Sequence, residues 1–421
     1  MLTKEENALV TRTDAGTPMG EAMRRYWMPA LLSEELPAPD GPPVRVRLLG
    51  EDLVAFRDSA GRVGLLAQKC PHRGASLFFG RNEEQGLRCV YHGWKFDVDG
   101  FCVDMPNEPP ESSFKHKIRQ TAYPCHEQGG VVWTYMGPSE NRPPVPGLEW
   151  VRAPAGHLHI SKTFEDCNYL QGIEGGVDSS HSSFLHRRFD DGYATRATEN
   201  LRVRATAPKL EVEPTDYGYR YASIRHLSGE GKSYVRVYQF VMPFHQMRAY
   251  EGYVGRPVIQ GHMWVPIDDD HHWVYNWIYT KDSVPLTEEE IRLEGVITGR
   301  APEDLLPGFR LKKNLANDYL IDRENQRTRS FTGIEGVNTQ DMAVQESMGP
   351  IYDRSQEHLG TSDLAVIAMR RLLIQAARDV EAGRDPLGAV SSCDAVRPAE
   401  MVLPEGVAWS EAMQEDLIAR W

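Results

Sequence analysis

The sequence lacks the features that would place it in a membrane, outside the cell or on nucleic acid. No uninterrupted apolar run approaches the ~20 residues that span a bilayer. Lysine and arginine (47) are outnumbered by aspartate and glutamate (60), and the net charge of −13 repels phosphate backbones. Six cysteines are too few for a disulfide scaffold. The polar start, Met1-Leu-Thr-Lys-Glu-Glu, has no apolar signal-peptide core, so we expect a soluble cytoplasmic protein.

Two proline-rich stretches, Leu36–Pro43 and Arg142–Gly147, divide the chain into regions of different pattern. Between them, short runs of alternating apolar residues separated by glycine turns predict a small antiparallel β-domain. Beyond the second stretch, mixed helical and strand patterns predict an α+β domain. We therefore expect a helical segment at 1–30 that packs on the α+β domain, a β-domain at 31–145 and the α+β domain at 146–421.

Two helices of the second domain are predicted from their ends. Thr287 and Glu290 form a capping box that starts one helix. Apolar residues from Leu364 to Val380 recur at helical spacing, and Gly383 can end that helix.

Two similar short segments carry the first group of candidate metal ligands. Cys70-Pro-His72-Arg-Gly and Cys89-Val-Tyr-His92-Gly-Trp each offer one thiolate and one imidazole, with 16 residues between His72 and Cys89. Structural zinc sites usually pair cysteine with cysteine in each loop, whereas each loop here mixes the two ligand types. A two-iron cluster with two cysteines on one iron and two histidines on the other explains that mixture.

A second group of candidate ligands follows Asn168 in a segment for which we predict a helix near 164–187. Asp178 and His181 are three residues apart and share a helical face. His186 follows His181 by five residues, and a regular helix would separate their directions by about 140°. Both histidines can reach one metal only if the helix is bulged or broken near residues 182–184. Two histidines and a carboxylate would form the facial triad of a non-haem iron centre.

These motifs resemble those of one enzyme family. The C-x-H and C-x2-H-G-W pair is similar to the Rieske [2Fe-2S] signature, and the D-x2-H-x4-H segment is similar to the iron motif of Rieske non-haem iron oxygenases. Segments including Cys102-Val-Asp-Met-Pro, Trp133-Thr-Tyr-Met-Gly and Glu346-Ser-Met-Gly-Pro resemble the phthalate dioxygenase branch. The resemblance covers nearly the whole chain. It implies a Rieske domain followed by a helix-grip α+β catalytic domain with a curved antiparallel sheet.

The resemblance also implies roles for individual residues. Cys70, His72, Cys89 and His92 would hold the cluster, and His181 and His186 would hold one Fe(II). Asp178 would bridge His181 and the partner subunit's His92. The third iron ligand would be a downstream carboxylate after a Gln or Glu, for which we choose Asp341; Asp353 and Asp363 are the alternatives.

The substrate of such an enzyme would be an aromatic carboxylic acid that is hydroxylated on its ring or loses an O-methyl group. A buried carboxylate needs cations or hydrogen-bond donors. The candidates in the catalytic domain are Lys209, Arg225, His226, Arg248, Ser179 and Gln171.

The resemblance further implies a homotrimer, or a hexamer of stacked trimers, that serves aromatic catabolism. No G-x-G-x-x-G unit follows a strand, so a separate NAD(P)H-dependent reductase with flavin and an iron–sulfur centre should supply the electrons. A second zinc site made of Cys102, Cys125, His116 and His126 is less expected than buried core thiols. Two other protein classes remain: a Rieske electron carrier without oxygenase activity, and a binding module that senses an aromatic acid.

Overall fold

The chain divides into two compact units in a computed structural model that describes residues 1–189, 197–252 and 255–420. The smaller unit is Thr13–Val145, and the larger combines Met1–Arg12 with Pro146–Trp421. The segment expected at 1–30 is thus divided after Arg12. Its first helix, α1 (Lys4–Thr11), belongs to the larger unit, and α2 (Pro18–Met23) belongs to the smaller. Within the described ranges, no helix is long and apolar enough to cross a bilayer.

The smaller unit consists of three antiparallel sheets, in the orders β1-β11-β10, β2-β3-β4-β9 and β5-β6-β7-β8. The strands are β1 Trp27–Leu32, β2 Val44–Leu48, β3 Glu51–Arg57, β4 Val63–Ala67, β5 Arg81–Glu83, β6 Gly86–Arg88, β7 Lys95–Phe96, β8 Cys102–Asp104, β9 Ala122–Tyr123, β10 Cys125–Gln128 and β11 Val131–Tyr135. Apolar side chains such as Val54, Phe56 and Leu87 form a buried core that also includes Cys70 and Cys89. The candidate cluster loops are therefore anchored in this core.

The larger unit contains an eight-stranded antiparallel sheet. Seven strands follow the order β12-β18-β17-β16-β15-β14-β13, and β21 pairs with β15 beside that path. A separate two-stranded sheet is formed by β19 and β20. The strands are β12 Leu158–Glu165, β13 Lys209–Pro214, β14 Gly218–Leu227, β15 Lys232–Val241, β16 His245–Glu251, β17 Pro257–Pro266, β18 His272–Thr280, β19 Leu305–Leu306, β20 Arg310–Leu311 and β21 Ala399–Pro404.

Helices of the larger unit bring the candidate ligands to this sheet. They are α3 Tyr169–Val177, α4 Ala197–Arg204, α5 Glu288–Thr298, α6 Arg323–Thr328, α7 Val337–Glu346, α8 Leu364–Glu381 and α9 Trp409–Ala412. Helix α3 packs closely on β17 because it presents glycine to Trp264. A Cβ on Gly172 or Gly176 would lie 2.4 or 1.9 Å from the Trp264 ring. This close approach places the end of α3 directly over the sheet.

The expected α+β organisation is confirmed, and so are both predicted helix ends. Thr287 and Glu290 form the capping box of α5, and Gly383 follows α8 with a φ of +73°. The helix expected near 164–187 is shorter than predicted, because β12 extends to Glu165 and α3 ends at Val177.

Candidate metal centres and substrate cavity

Helix α3 ends at Val177, and the next residue, Asp178, sets the direction of the two histidines. The Asp178 carboxylate accepts hydrogen bonds from the amides of Ser180 at 2.7 Å and His181 at 3.1 Å. These bonds stabilise a turn instead of another helical residue. A single 3-10 turn, His181–Ser183, follows. The break lies earlier than the expected position at 182–184, because the aspartate itself ends the helix.

Three side chains converge where this turn faces α7. The Nε2 atoms of His181 and His186 lie 3.6 and 3.3 Å from Oδ1 of Asp341. One ligand atom from each residue lies within 4.8 Å of the other two, a spacing that a single metal ion can bridge. The two imidazole rings are nearly perpendicular, at 84°. This set of two nitrogens and one oxygen fits a facial triad, which leaves other positions on the metal open.

The other ring nitrogen of each histidine faces a fixed acceptor. His181 Nδ1 lies 3.3 Å from Asp178 Oδ2, and His186 Nδ1 lies 2.8 Å from Gln340 Oε1. Such partners select the tautomer in which Nε2 is free to bind a metal. Gln340 directly precedes Asp341 on α7, so one helix supplies both a candidate ligand and the group that orients another.

Charge at this site is balanced by neighbouring groups. Burial would raise the pKa of Asp341, but the adjacent His186 and His181 outweigh it and hold the pKa below its usual value. Burial would likewise raise the pKa of Asp178, and the hydrogen bond and charge of His181 lower it. Both carboxylates are therefore anionic near neutral pH, as ligation and histidine orientation require.

The three candidate ligands line a cavity, and one face of the large sheet forms its floor. The strand residues that line it occur at alternate positions, because successive side chains point to opposite faces. They are Thr163 and Glu165 on β12, Arg236 and Tyr238 on β15, Arg248 and Tyr250 on β16, Gln260, His262 and Trp264 on β17, and Val274 and Asn276 on β18. Tyr238, Arg248 and Gln260 are direct cross-strand neighbours.

Two of the six residues expected near the substrate, Ser179 and Arg248, line this cavity. Arg225 is fully buried outside the lining, where it donates hydrogen bonds to Ser179 O at 2.7 Å and to Ser223 Oγ.

The other three candidates lie elsewhere. Gln171 is buried, and its amide bonds the backbone of Gln345, Gly349 and Tyr352. Lys209 is exposed and pairs with Glu211 at 2.8 Å. His226 is exposed and lies 3.0 Å from Ser233 Oγ. Their positions correct the expectation that they contact substrate.

Several cavity residues were not anticipated from the sequence. They are Arg236 and Tyr238 on β15, His262 on β17 and Asn276 on β18, which line the same cavity as the candidate ligands. The alternation of polar and apolar residues along these strands could have identified them from the sequence. Polar residues alternate with apolar ones there, so one face of each strand is polar although the strand is buried. A buried polar face indicates a lined cavity rather than a packed core.

The candidate cluster loops of the smaller unit are near copies of each other. In each loop the cysteine amide donates to a carbonyl five residues on, from Cys70 to Ala75 and from Cys89 to Trp94, at 2.8 Å. The glycine four residues after each cysteine donates back to its carbonyl, at 2.9 and 3.0 Å. Gly74 and Gly93 have φ values of +75° and +82°, which favour glycine.

The loops bring like ligand types together. The rings of His72 and His92 are 4.3 Å apart between centroids. Burial, with the nearby Cys89 thiol contributing, raises the pKa of Cys70 to about 11. His72 stacks on Trp94, with centroids 4.4 Å apart. Its Nδ1 atom is buried and has no hydrogen-bond partner among the described residues. A buried nitrogen without a partner, beside a second imidazole and two thiols, fits a ligand of a two-iron, two-sulfur cluster.

The remaining candidates from the sequence have local roles. Asp353 accepts hydrogen bonds from Ser355, and Asp363 accepts one from the Gly360 amide at 2.6 Å. Cys102 and Cys125 donate weakly to backbone carbonyls at 3.4 and 3.5 Å. In the described part of the chain, no group of three ligands includes them or the nearby His116 and His126.

The fold and the two sites define a redox protein of the Rieske oxygenase class. Residues 26–123 match the Rieske [2Fe-2S] domain, and residues 134–416 match the family described as LigXa C-terminal domain like. The chain is 43% identical to the phthalate 4,5-dioxygenase oxygenase subunit of Pseudomonas putida over 399 residues, which cover 92% of this chain and 89% of the relative. It is 38% identical to the 3-chlorobenzoate-3,4-dioxygenase oxygenase subunit of Comamonas testosteroni, with 98% of each chain covered.

A third relative carries out a different reaction. The 5,5'-dehydrodivanillate O-demethylase oxygenase subunit of Sphingobium sp. (strain NBRC 103272 / SYK-6) is 32% identical, with 92% of this chain and 83% of the relative covered. Among solved structures, the fold is similar to that of the Pseudomonas putida CBB5 NdmA QL mutant with theobromine, with a TM-score of 0.62 and 19% sequence identity. The match covers 93% of this chain and 99% of the NdmA chain. Dicamba monooxygenase bound to dicamba has a TM-score of 0.61 at 17% identity, with 86% and 99% covered.

The chain belongs to the Rieske oxygenases, as an oxygenase subunit related to that of phthalate 4,5-dioxygenase. It is therefore an oxidoreductase, and the family predicted from the cysteine and histidine spacing is confirmed.

Proposed function

We propose that this protein oxidises an aromatic carboxylic acid with O2 and with electrons from a separate NAD(P)H-dependent reductase. The observation that carries the proposal is a half-buried arginine, Arg248, which lines the same cavity as His181, His186 and Asp341. The relatives that act on phthalate and 3-chlorobenzoate support an acid of this kind.

Arg248 fits a substrate carboxylate because its guanidinium hydrogen-bonds to neutral side chains. Its guanidinium donates to Gln246 Oε1 at 3.1 Å and lies 3.0 Å from His262 Nε2. Burial lowers the pKa of Arg248, and the nearby Arg236 lowers it further. A partly buried cation beside a second cation is stabilised by an anion with two oxygens, such as a carboxylate. An acid bound there would place its ring over the sheet face, beside the candidate iron ligands.

In this proposal Cys70 and Cys89 hold one iron of the Rieske cluster, His72 and His92 hold the other, and His181, His186 and Asp341 hold a mononuclear Fe(II). When bound, the cluster carries single electrons and the mononuclear iron activates O2. The protein's own residues then have two tasks. Gln340 and Asp178 orient the histidines, and the cavity holds the acid at a fixed distance and angle.

Asp178 has a second proposed role, at a subunit boundary. Its carboxylate bonds His181 on one side, and 23% of its side chain stays exposed. We infer that it also binds the partner subunit's His92, so that electrons cross between subunits of a cytoplasmic homotrimer or stacked hexamer. Replacement of Asp178 by Asn should slow electron transfer from the reduced cluster to the iron by orders of magnitude. An unchanged rate would rule this role out.

Two reactions are compatible with the cavity: ring hydroxylation and O-demethylation. The same metal site serves both, and only the position of ring or methoxy carbon relative to the iron separates them. Similarity to an O-demethylase oxygenase subunit supports O-demethylation as the alternative reaction.

The test is turnover on a panel of phthalates, chlorobenzoates, vanillate and biaryl lignin acids, with a surrogate reductase, NADH and isotopically labelled O2. A cis-diol that carries two labelled oxygens would identify a ring dioxygenase. A phenol released together with formaldehyde would identify an O-demethylase. Consumption of NADH without oxidation of any acid would contradict the proposal.

A further inference from the structure

A buried acidic cluster lies between the metal-centre cavity and a second groove of the same unit. Glu165 lines the cavity, Tyr319 and Glu346 line the groove, and Met342 lines both. Glu165, Tyr319 and Glu346 are 1%, 3% and 6% exposed. A single layer of side chains that includes Met342 therefore separates the two spaces, and its polar members are ionisable.

Short contacts connect the members of this cluster. The Tyr319 hydroxyl donates to Glu346 Oε2, and the amide of Asp166 donates to Glu346 Oε1 at 2.9 Å. On the cavity side, Glu165 Oε1 lies 3.6 Å from the Cys167 thiol and Oε2 lies 3.2 Å from His272 Nε2. Burial raises the pKa of Cys167, and the charges of Glu165 and Glu346 raise it further.

Glu346 is built to hold a proton more readily than an ordinary glutamate. Burial raises the pKa of Glu346, and the charges of the neighbouring Glu165 and Asp166 raise it further. The hydrogen bonds from the Tyr319 hydroxyl and the Asp166 amide lower the pKa but do not outweigh these effects. The net effect is a raised pKa. Two buried carboxylates close together favour retention of a proton on one of them. A proton held there can move to the other carboxylate.

The backbone at Tyr319 is held in an unfavourable conformation. Asp318, Tyr319 and Leu320 have φ values of +50°, +51° and +50°. Side chains other than glycine rarely adopt this region, and such strain concentrates at functional sites. The turn directs Tyr319 inward to Glu346, while the next side chain, Leu320, is 60% exposed. The strained segment therefore positions one hydroxyl between the groove and the acidic cluster.

We propose that Tyr319, Glu346 and Glu165 conduct protons from the groove to the metal-centre cavity. The inference rests on the proposed function, because ring dihydroxylation and O-demethylation by O2 each consume two electrons from the reductase and two protons. Glu165 gives a proton to the oxygen being reduced and takes one from Glu346 by way of the Cys167 thiol. Water in the groove returns a proton to Glu346 through the Tyr319 hydroxyl. Only O–H and S–H bonds change, and the electrons come from the reductase.

The kinetic test compares two identical changes in two buried tyrosine–glutamate pairs. Tyr319→Phe removes the hydroxyl of the path. Tyr279→Phe is the matched control, because Tyr279 is also buried and donates to Glu149 Oε2 at 2.7 Å, but lines neither the cavity nor the groove. We expect Tyr319→Phe to slow product formation severalfold and to enlarge the rate ratio between H2O and D2O. Glu165→Gln should slow it by about 100-fold, and Tyr279→Phe should leave the isotope ratio unchanged.

An infrared measurement on protein without metals gives a second readout that needs no turnover. We expect a carboxylic-acid C=O band that is lost in Glu346→Gln and shifted in Glu165→Gln. The path is overturned if the band persists in Glu346→Gln, or if Tyr319→Phe and Tyr279→Phe have equal rates and equal isotope ratios. If wild-type protein oxidises no acid, the proposed function fails, and the infrared band still decides whether Glu346 holds the proton.

Discussion

The two metal-binding regions of this protein are built in opposite ways. In the smaller unit, all four candidate cluster ligands come from two short loops with the same backbone hydrogen bonds. In the larger unit, the candidate iron ligands come from the turn after α3 and from α7; His186 and its partner Gln340 are 154 residues apart in the chain. The first site depends on local loop geometry, whereas the second depends on packing of helices on a sheet.

From this difference we expect the two sites to respond differently to substitutions. Each cluster loop carries its own glycine and its own amide hydrogen bonds, so it is largely formed by nearby residues. The iron site is local only in part, because Asp178 fixes the turn that carries His181 whereas Asp341 comes from α7. It exists because Gly172 and Gly176 allow α3 to approach Trp264, and because α7 packs beside α3. The following predictions test this contrast, from the largest expected effect to the smallest.

Replacement of Asp341 by Asn should abolish product formation while the cluster remains. The amide cannot supply the anionic oxygen that completes the facial triad. We expect iron analysis to fall from three to two irons per chain, with an unchanged visible spectrum of the cluster. Asp363→Asn is the matched control, since Asp363 accepts the Gly360 amide in a local turn. Loss of the cluster in Asp341→Asn would show that the two sites are not independent.

Replacement of Arg248 by Gln should lower kcat/KM for the carboxylated substrate by about 10- to 100-fold, because a charged hydrogen bond to the substrate contributes about 1.5–3 kcal/mol. An uncharged analogue, such as the amide or ester of the same acid, should be affected much less. Steady-state kinetics on the acid and the analogue measure the difference. Exposed Lys209, paired with Glu211, gives the control Lys209→Gln. An equal loss for both compounds would mean that Arg248 does not bind the carboxylate.

Replacement of Gln340 by Ala should weaken iron binding by about 10- to 100-fold, the usual effect of removing a group that orients a ligand histidine. Gln340 bonds His186 Nδ1 at 2.8 Å, so its loss leaves that ring free to turn. Iron titration of the apoprotein measures the affinity. Gln375→Ala, at an exposed position of α8, is the control. An iron affinity equal in both variants would contradict the orienting role of Gln340.

The contrast between a locally formed site and one assembled from distant segments explains which ligands could be predicted from the sequence. The spacing of Cys70, His72, Cys89 and His92 indicated the Rieske domain, because a local site leaves a local pattern. Asp178, His181 and His186 were found for the same reason. Asp341 was chosen only by resemblance, since nothing near it in the chain marks it as a ligand. The structure brings it to both histidines.

Substrate contacts were the least predictable part of the site. Lys209 and Arg225 were chosen as basic residues on strands, but charge does not show which face of a strand borders the cavity. Lys209 points to solvent, and Arg225 bonds the turn behind Ser179. Arg236 lines the cavity instead. Helix length near 164–187 was overestimated because Asp178 bonds the backbone that would continue α3.

The smallest predicted effect is on stability, and it follows from removing the capping box at the start of α5. Thr287→Ala removes the hydroxyl that accepts the Glu290 amide at 3.2 Å, and should lower the free energy of unfolding by about 1 kcal/mol. Thermal or urea unfolding measures the change, and Thr361→Ala at an exposed position is the control. Iron content and product formation at moderate temperature should not change, because no candidate ligand lies on α5. Iron loss in Thr287→Ala would show that α5 transmits its packing to α7, and the iron site would then depend on a wider part of the fold.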